Sequence, residues 1–173
     1  MIVVDWGTTN RRVFACEDDG TILKRVQNSQ GIKVVPQVGF AAVLAQVLKE
    51  LGESGDQPLF ICGMAGARGG WIEAPYCKAP VALEDVVAKR TPLPERRDGY
   101  LLPGVKTVSP DGTSDVMRGE EIQIFGGVSR HGIRDGVLCL PGTHSKWARI
   151  RDGRIVDFAT FMTGDIYQAL EHT

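Results

Sequence analysis

Apolar residues open the chain at positions 1–4 and give way to the polar, glycine-bearing stretch Asp5-Trp6-Gly7-Thr8-Thr9. A short apolar run closed by a turn signal predicts a buried strand over 1–5. Residues 11–17 read as a second strand with Val13, Ala15 and Cys16 inward, and Asp18-Asp19-Gly20 supplies a turn of the Asp-Gly type. Residues 21–26 return as a third strand, so three consecutive antiparallel strands are expected. Helical spacing comes next. Phe40, Val43, Leu44, Val47, Leu48 and Leu51 recur every three to four positions before Gly52, which predicts a helix over 39–51.

The second half is less regular. Residues 59–62 predict a short buried strand that enters the glycine-rich loop 63–70, and the proline-rich stretch 75–110 carries no ordered pattern. A second helix is expected over 115–128, with Ser114 and Asp115 as good N-cap residues. Residues 137–140 predict a strand, 146–150 and 154–161 a hairpin across Asp152-Gly153, and a last helix starts near Gly164.

The two ends echo each other. Both read apolar strand, Gly-Thr, a polar pair, a basic residue, strand, Asp-Gly, strand: Gly7-Thr8-Thr9-Asn10-Arg11 in one and Gly142-Thr143-His144-Ser145-Lys146 in the other. A duplicated unit is the simplest account. A strand-Gly-Thr-strand hairpin presents backbone N–H groups and hydroxyls at a tight turn, and glycine lets an anion approach closely. Two such turns together would hold the phosphates of one nucleotide. Asp5 would add a hard oxygen for Mg²⁺, directly or through water. The plainer account of either hairpin taken singly is a turn and nothing more. The loop at 63–70 has neither a P-loop ending nor a Rossmann fingerprint.

Composition narrows the function classes. The 173 residues are 43% hydrophobic and 24% charged, enough apolar material for a sizeable core. A formal charge of −1 argues against nucleic acid held by bulk electrostatics. The four cysteines form no C-x-x-C and the three histidines are dispersed, which argues against zinc. Most of the cysteines are expected as small buried residues, and Trp6, Trp71 and Trp147 as core or cleft packing. No apolar run approaches a membrane span, no signal segment precedes the first strand, and a cytoplasmic location is expected.

Val4-Asp5-Trp6-Gly7-Thr8-Thr9-Asn10-Arg11-Arg12 resembles the first phosphate motif of the actin/hexokinase/Hsp70 superfold, and Gly142-Thr143 resembles the second. With the loop from Gly63 to Trp71, Glu73-Ala74-Pro75-Tyr76, the block from Ser114 to Glu121, the block from Leu140 to Trp147 and Thr160-Phe161-Met162-Thr163-Gly164, the chain resembles 2-dehydro-3-deoxygalactonokinases. The resemblance implies an α/β, ribonuclease H-like lobe over 1–134 and the opening hairpins of a second, similar lobe over 135–173. It implies ATP- and Mg²⁺-dependent phosphorylation of 2-dehydro-3-deoxy-D-galactonate at its terminal hydroxyl, in galactonate breakdown. Such kinases have two complete lobes with the adenosine pocket in the second, so that pocket is expected outside this chain.

The same resemblance implies roles for single residues. Asp115 would take the proton of the attacking hydroxyl, although from the residues alone it reads as a helix cap. One of Glu120 and Glu121 would bond substrate hydroxyls. Arg68, with Arg118 and Arg11 as competitors, would meet the sugar-acid carboxylate. Thr8, Thr9, Asn10, Gly142, Thr143 and Ser145 would contact phosphate, His144 would neighbour it, and Lys146 would steady its charge or cap a strand edge. Two further readings stand beside this one: a kinase of the same superfold acting on another sugar or sugar acid, and a non-catalytic half that binds a sugar acid.

Overall fold

The computed structural model describes residues 1–35, 39–53, 56–94 and 96–171, so the last two positions of the expected second lobe lie outside the described residues. The elements in chain order begin with β1 Ile2–Trp6, β2 Arg11–Cys16, β3 Ile22–Asn28, α1 Phe40–Leu51 and β4 Leu59–Gly63. They continue with β5 Tyr76–Lys78, α2 Leu83–Ala88, β6 Thr91–Pro92, β7 Gly99–Leu101, β8 Gly104–Val108 and β9 Ser114–Met117. The remainder are α3 Glu120–His131, β10 Gly136–Leu140, β11 Ser145–Arg151, β12 Arg154–Phe161 and α4 Thr163–Glu171. Two compact units result: Met1–Pro75 with Lys89–Pro103, and Tyr76–Ala88 with Gly104–Thr173.

The first unit is a mixed sheet ordered β3-β2-β1-β4-β7-β6. The opening strands form the expected antiparallel meander, while β1 and β4 run parallel and are joined through α1. Alternation places Ile2, Val4 and Trp6 of β1 inward, where they meet Leu44, Val47, Leu48 and Leu51 of α1. The helix ends as expected on Gly52, whose left-handed backbone (φ 74°) lets its N–H reach the Leu48 and Lys49 carbonyls. Trp6 packs edge-on against Phe40 at 5.2 Å, and Phe40 stacks on Trp71 at 5.7 Å.

The second unit holds two three-stranded sheets, β5-β8-β9 and β10-β11-β12. Val81 bridges to Ile155, and Met117, Ile124, Phe125, Ile150, Ile155 and Phe158 are buried. Residues 75–110, patternless in sequence, supply four short strands and the six-residue α2.

The expected helix over 115–128 is corrected at its start. Residues 114–117 pair with β8 as an antiparallel strand, and the helix begins at Glu120. Gly119, at φ 108°, separates the two elements, so Ser114 and Asp115 are strand residues and not caps. The expected boundary at 134/135 does not coincide with the two units either: residues 104–134 sort with the C-terminal hairpins, and 76–88 join them. Cys16, Cys62 and Cys77 are buried as expected, but Cys139 is exposed. Trp147 is exposed too, because it alternates out of phase with the buried positions of β11.

Gly63 closes β4 beside Trp6 with φ 88°, and a Cβ there would lie 2.7 Å from the Trp6 carbonyl oxygen. Gly63→Ala forces a Cβ onto a positive-φ backbone and into a backbone clash, and is expected to cost about 2–4 kcal/mol. Urea denaturation of the purified variant measures the loss.

Candidate active site

The first turn, 7–10, is held from behind. Gly31 N–H donates to the Thr9 carbonyl at 2.8 Å, Ile32 N–H to Gly7 at 3.0 Å and Lys33 N–H to Thr8 at 3.4 Å. Only glycine allows this approach, since a Cβ on residue 31 would lie 2.4 Å from Thr8 backbone. The N–H groups of Thr8 and Thr9 take no partner among the described residues, and Thr8, Thr9 and Asn10 are exposed. The turn therefore offers donors outward, as an anion site requires.

The second turn repeats the device. Gly164 and Asp165 N–H groups both donate to the Thr143 carbonyl, at 3.0 and 3.2 Å, and a Cβ on Gly164 would lie 2.7 Å from the Gly142 oxygen. Gly142, Thr143 and His144 are exposed, and His144 Nε2 lies 2.7 Å from Asp165. Ser145 is buried, its hydroxyl directed to the Phe161 carbonyl at 3.5 Å.

The basic residue after each turn points inward. Arg11 is 2% exposed, donates to Gln30 at 2.8 Å and lies over the Trp6 ring. Burial lowers its pKa, an effect partly offset by Glu50. Lys146 is 7% exposed and donates to the Val116 carbonyl and to Thr160 Oγ1, both at 2.7 Å. Arg11 thus commits one nitrogen to Gln30 while its Nε and Nη1 are buried without a hydrogen-bond partner among the described residues, and Lys146 is bound by Val116 and Thr160.

Asp5 sits at the end of β1 with one carboxylate oxygen 2.9 Å from Arg12. No cluster of three or more His, Cys, Asp or Glu suited to a metal ion occurs among the described residues. A single carboxylate with one oxygen left clear of Arg12, beside a turn with unpartnered N–H groups, is the kind of donor that suits Mg²⁺, which keeps most of its waters and takes one or two protein oxygens.

Asp115, on edge strand β9, is half-buried. Its Oδ1 accepts the Val116 N–H at 2.7 Å and the Thr160 hydroxyl at 2.8 Å, and Lys146 Nζ stands 3.9 Å away. The other oxygen, Oδ2, takes no hydrogen bond among the described residues.

The acids that follow are sorted by burial. Glu121 is fully buried and both its oxygens lie within 3 Å of the Gly119 N–H, at 2.9 and 2.7 Å. Burial pushes it up to about 8, against the pull of backbone N–H groups and Arg118. Glu120 keeps partial exposure and accepts the Arg118 N–H at 3.0 Å, so of the two it is the one with access to a ligand. Arg118 is buried, its guanidinium 4.2 Å over the Tyr76 ring, whereas Arg68 is exposed in the glycine-rich loop. Sequence reasoning assigned no part in the site to Gly31, Gly164, Gln30, Tyr76 or Thr160. The glycines carry no turn signature, and Thr160 reaches Asp115 only through a sheet register.

The family model described as 2-keto-3-deoxy-galactonokinase matches residues 5–173. A Rhizobium meliloti (strain 1021) protein named as a 2-dehydro-3-deoxygalactonokinase is 39% identical over 98% of this chain and 56% of its own length. The 2-dehydro-3-deoxygalactonokinase of Escherichia coli (strain K12) is 34% identical over the same shares. The chain thus spans about half the length of the curated relatives it matches. A crystal structure described as a 2-dehydro-3-deoxygalactonokinase protein from Sinorhizobium meliloti superposes with a TM-score of 0.87 at 38% identity, over 99% of this chain and 57% of that one. An activator of 2-hydroxyisocaproyl-CoA dehydratase from Clostridium difficile, with bound ADPNP, gives 0.50 at 12% identity, over 100% and 52%. The fold is the ribonuclease H-like, actin/hexokinase type that the family resemblance implies.

Glu121 also sets a pH dependence. Unfolded, it would titrate near about 4.3. Between there and about 8 the folded chain holds a proton that the unfolded chain has released, so stability falls as pH rises across that window. Glu121→Gln is expected to flatten this decline, read as a smaller drop in urea midpoint from pH 5 to pH 8 than the parent shows.

Proposed function

Because the chain belongs to the 2-keto-3-deoxy-galactonokinase family, we propose that the protein transfers the γ-phosphoryl group of ATP to the terminal (6-) hydroxyl of 2-dehydro-3-deoxy-D-galactonate. The observation that carries the catalytic assignment is the half-tethered carboxylate of Asp115, with Oδ1 held by two donors and Oδ2 left open.

In this reading the sugar-acid hydroxyl gives its proton to Asp115 Oδ2 as its oxygen bonds to the γ-phosphorus. The bond from that phosphorus to the bridging oxygen breaks, and its electron pair leaves with ADP. Little covalent work falls to the protein in such a transfer; positioning and charge dominate. The outward N–H groups of Thr8 and Thr9 and the exposed Gly142-Thr143 turn take phosphate oxygens, with Asn10 and His144 beside them. Asp5 would hold Mg²⁺, which supplies neutralising charge to the phosphates. Exposed Arg68 suits the substrate carboxylate, and Glu120 its hydroxyls. In this reading the reaction runs in the cytoplasm, where ATP is supplied.

Transfer from ATP to 2-keto aldonic acids and to neutral hexoses, measured on the full gene product, tests the substrate class. Preference for the sugar acid is expected; faster transfer to a neutral hexose would sink the assignment. Asp115→Asn is expected to lower kcat by about 10²–10⁴-fold with KM for the sugar acid little changed. Unaltered turnover would remove Asp115 from the role of base.

A further inference from the structure

We infer that Thr160 and Lys146 are positioning residues that aim the catalytic carboxylate, an inference resting on the reading of Asp115 as the base. The direction of the hydrogen bonds is fixed by chemistry. An ammonium has only donors, so at 2.7 Å Lys146 Nζ must give a proton to Thr160 Oγ1. The threonine hydroxyl, having accepted, turns its own hydrogen to Asp115 Oδ1 at 2.8 Å. A second Lys146 proton goes to the Val116 carbonyl, which anchors the ammonium to the same strand that carries Asp115.

The chain of donors has a single sense, from lysine through threonine to carboxylate. Together with the Val116 N–H it loads Oδ1 twice and leaves the lone pairs of Oδ2 for an incoming hydroxyl. A carboxylate hung from one contact would rotate about its Cβ–Cγ bond and present either oxygen. One gripped at Oδ1 from two sides presents Oδ2.

Rigidity comes from the sheet. Lys146 and Thr160 are directly opposite in the β11–β12 pair, and that pairing depends on a bulge. Ile150 opposes Ile155 but Arg149 opposes Asp157, leaving Val156 as the extra residue. Were Val156 paired in regular register with Arg149, Lys146 would face Ala159, and Thr160 would turn to the other face. Lys146 is held buried with its ammonium 6.0 Å from the Phe158 ring, so the donor has little freedom to leave.

Thr160→Val, Thr160→Ser and Asp115→Asn, made singly and with Thr160→Val combined with Asp115→Asn, test this in the full gene product. Thr160→Val is expected to lower kcat by about 10–100-fold while KM for the sugar acid and for ATP stays within about 3-fold. Thr160→Ser, which keeps the hydroxyl, is expected to restore kcat to within about 3-fold of the parent. In the Asp115→Asn background Thr160→Val should cost nothing further, because the hydroxyl then has no base to aim. A Thr160→Val enzyme with parental kcat, or a Thr160→Ser enzyme as impaired as Thr160→Val, would overturn the inference. If Thr160→Val unfolds, Thr160→Ala removes the same hydroxyl and carries the same expectations. Asp115→Asn separates the two levels. If it leaves turnover intact, the base assignment itself fails; if it abolishes turnover while Thr160→Val does not lower it, only the positioning role fails.

Discussion

A backbone turn has donors and acceptors in equal number, and it can face an anion only if its carbonyl oxygens are satisfied elsewhere. That constraint organises both ends of this chain. At the first turn, the N–H groups of residues 31–33 take the carbonyls of Gly7, Thr8 and Thr9; at the second, Gly164 and Asp165 take that of Thr143. Each arrangement needs a glycine at the point of contact, because a Cβ on Gly31 or Gly164 would enter the turn's own backbone. The outward N–H groups are thus a by-product of packing behind the turn, fixed before any ligand arrives. Preorganised donors of this kind need no rearrangement to meet developing charge.

The carboxylates divide along similar physical lines. Glu121, with no solvent and with the backbone N–H groups of Gly119 and its own residue as donors, is driven by burial toward its neutral form and helps to close the loop before α3. Asp5, at the solvent-facing end of β1, shares its charge with Arg12. Asp115 lies between these limits, close enough to solvent to meet a substrate and near enough to a buried ammonium to be oriented by it. Position relative to solvent and to a donor decides which acid is structural and which is available for chemistry.

How much of this the sequence discloses depends on the range of the interaction. The meander of β1–β3 and the helix α1 rest on local periodicity and on Asp19-Gly20 and Gly52, and they are read directly. The strand at 114–117 resembles a helix start in sequence because Ser114-Asp115 before an acidic stretch imitates an N-cap, whereas Gly119 at φ 108° provides the true break. The three-residue strands within 75–110 are too short for any period to show. The two buried cations are recognisable as a repeated feature, but their direction is not. Arg11 and Lys146 follow their Gly-Thr turns as ligand-facing cations would in sequence, and both are turned inward by strand alternation.

The bulge in β12 has a counterpart that bears on the origin of the fold. In the opening meander Cys16 opposes Ile22 while Ala15 opposes Lys24, so Leu23 is an extra residue near the start of the third strand, as Val156 is in the closing meander. A register shift at corresponding places moves corresponding residues to the same face. It sets Arg11 against Asn28 and Lys146 against Thr160, each buried cation opposite a small polar side chain. Local turn chemistry would account for two similar Gly-Thr hairpins arising independently. It does not account for a matching bulge on the far strand, a matching inward cation and a matching glycine behind the turn. Those features are separated in sequence and related only through three-dimensional packing, which favours duplication of one unit over convergence. The two turns differ in use: Gln30 receives Arg11 at the first, while at the second the same inward geometry delivers Lys146 to Thr160, whose hydroxyl goes on to Asp115.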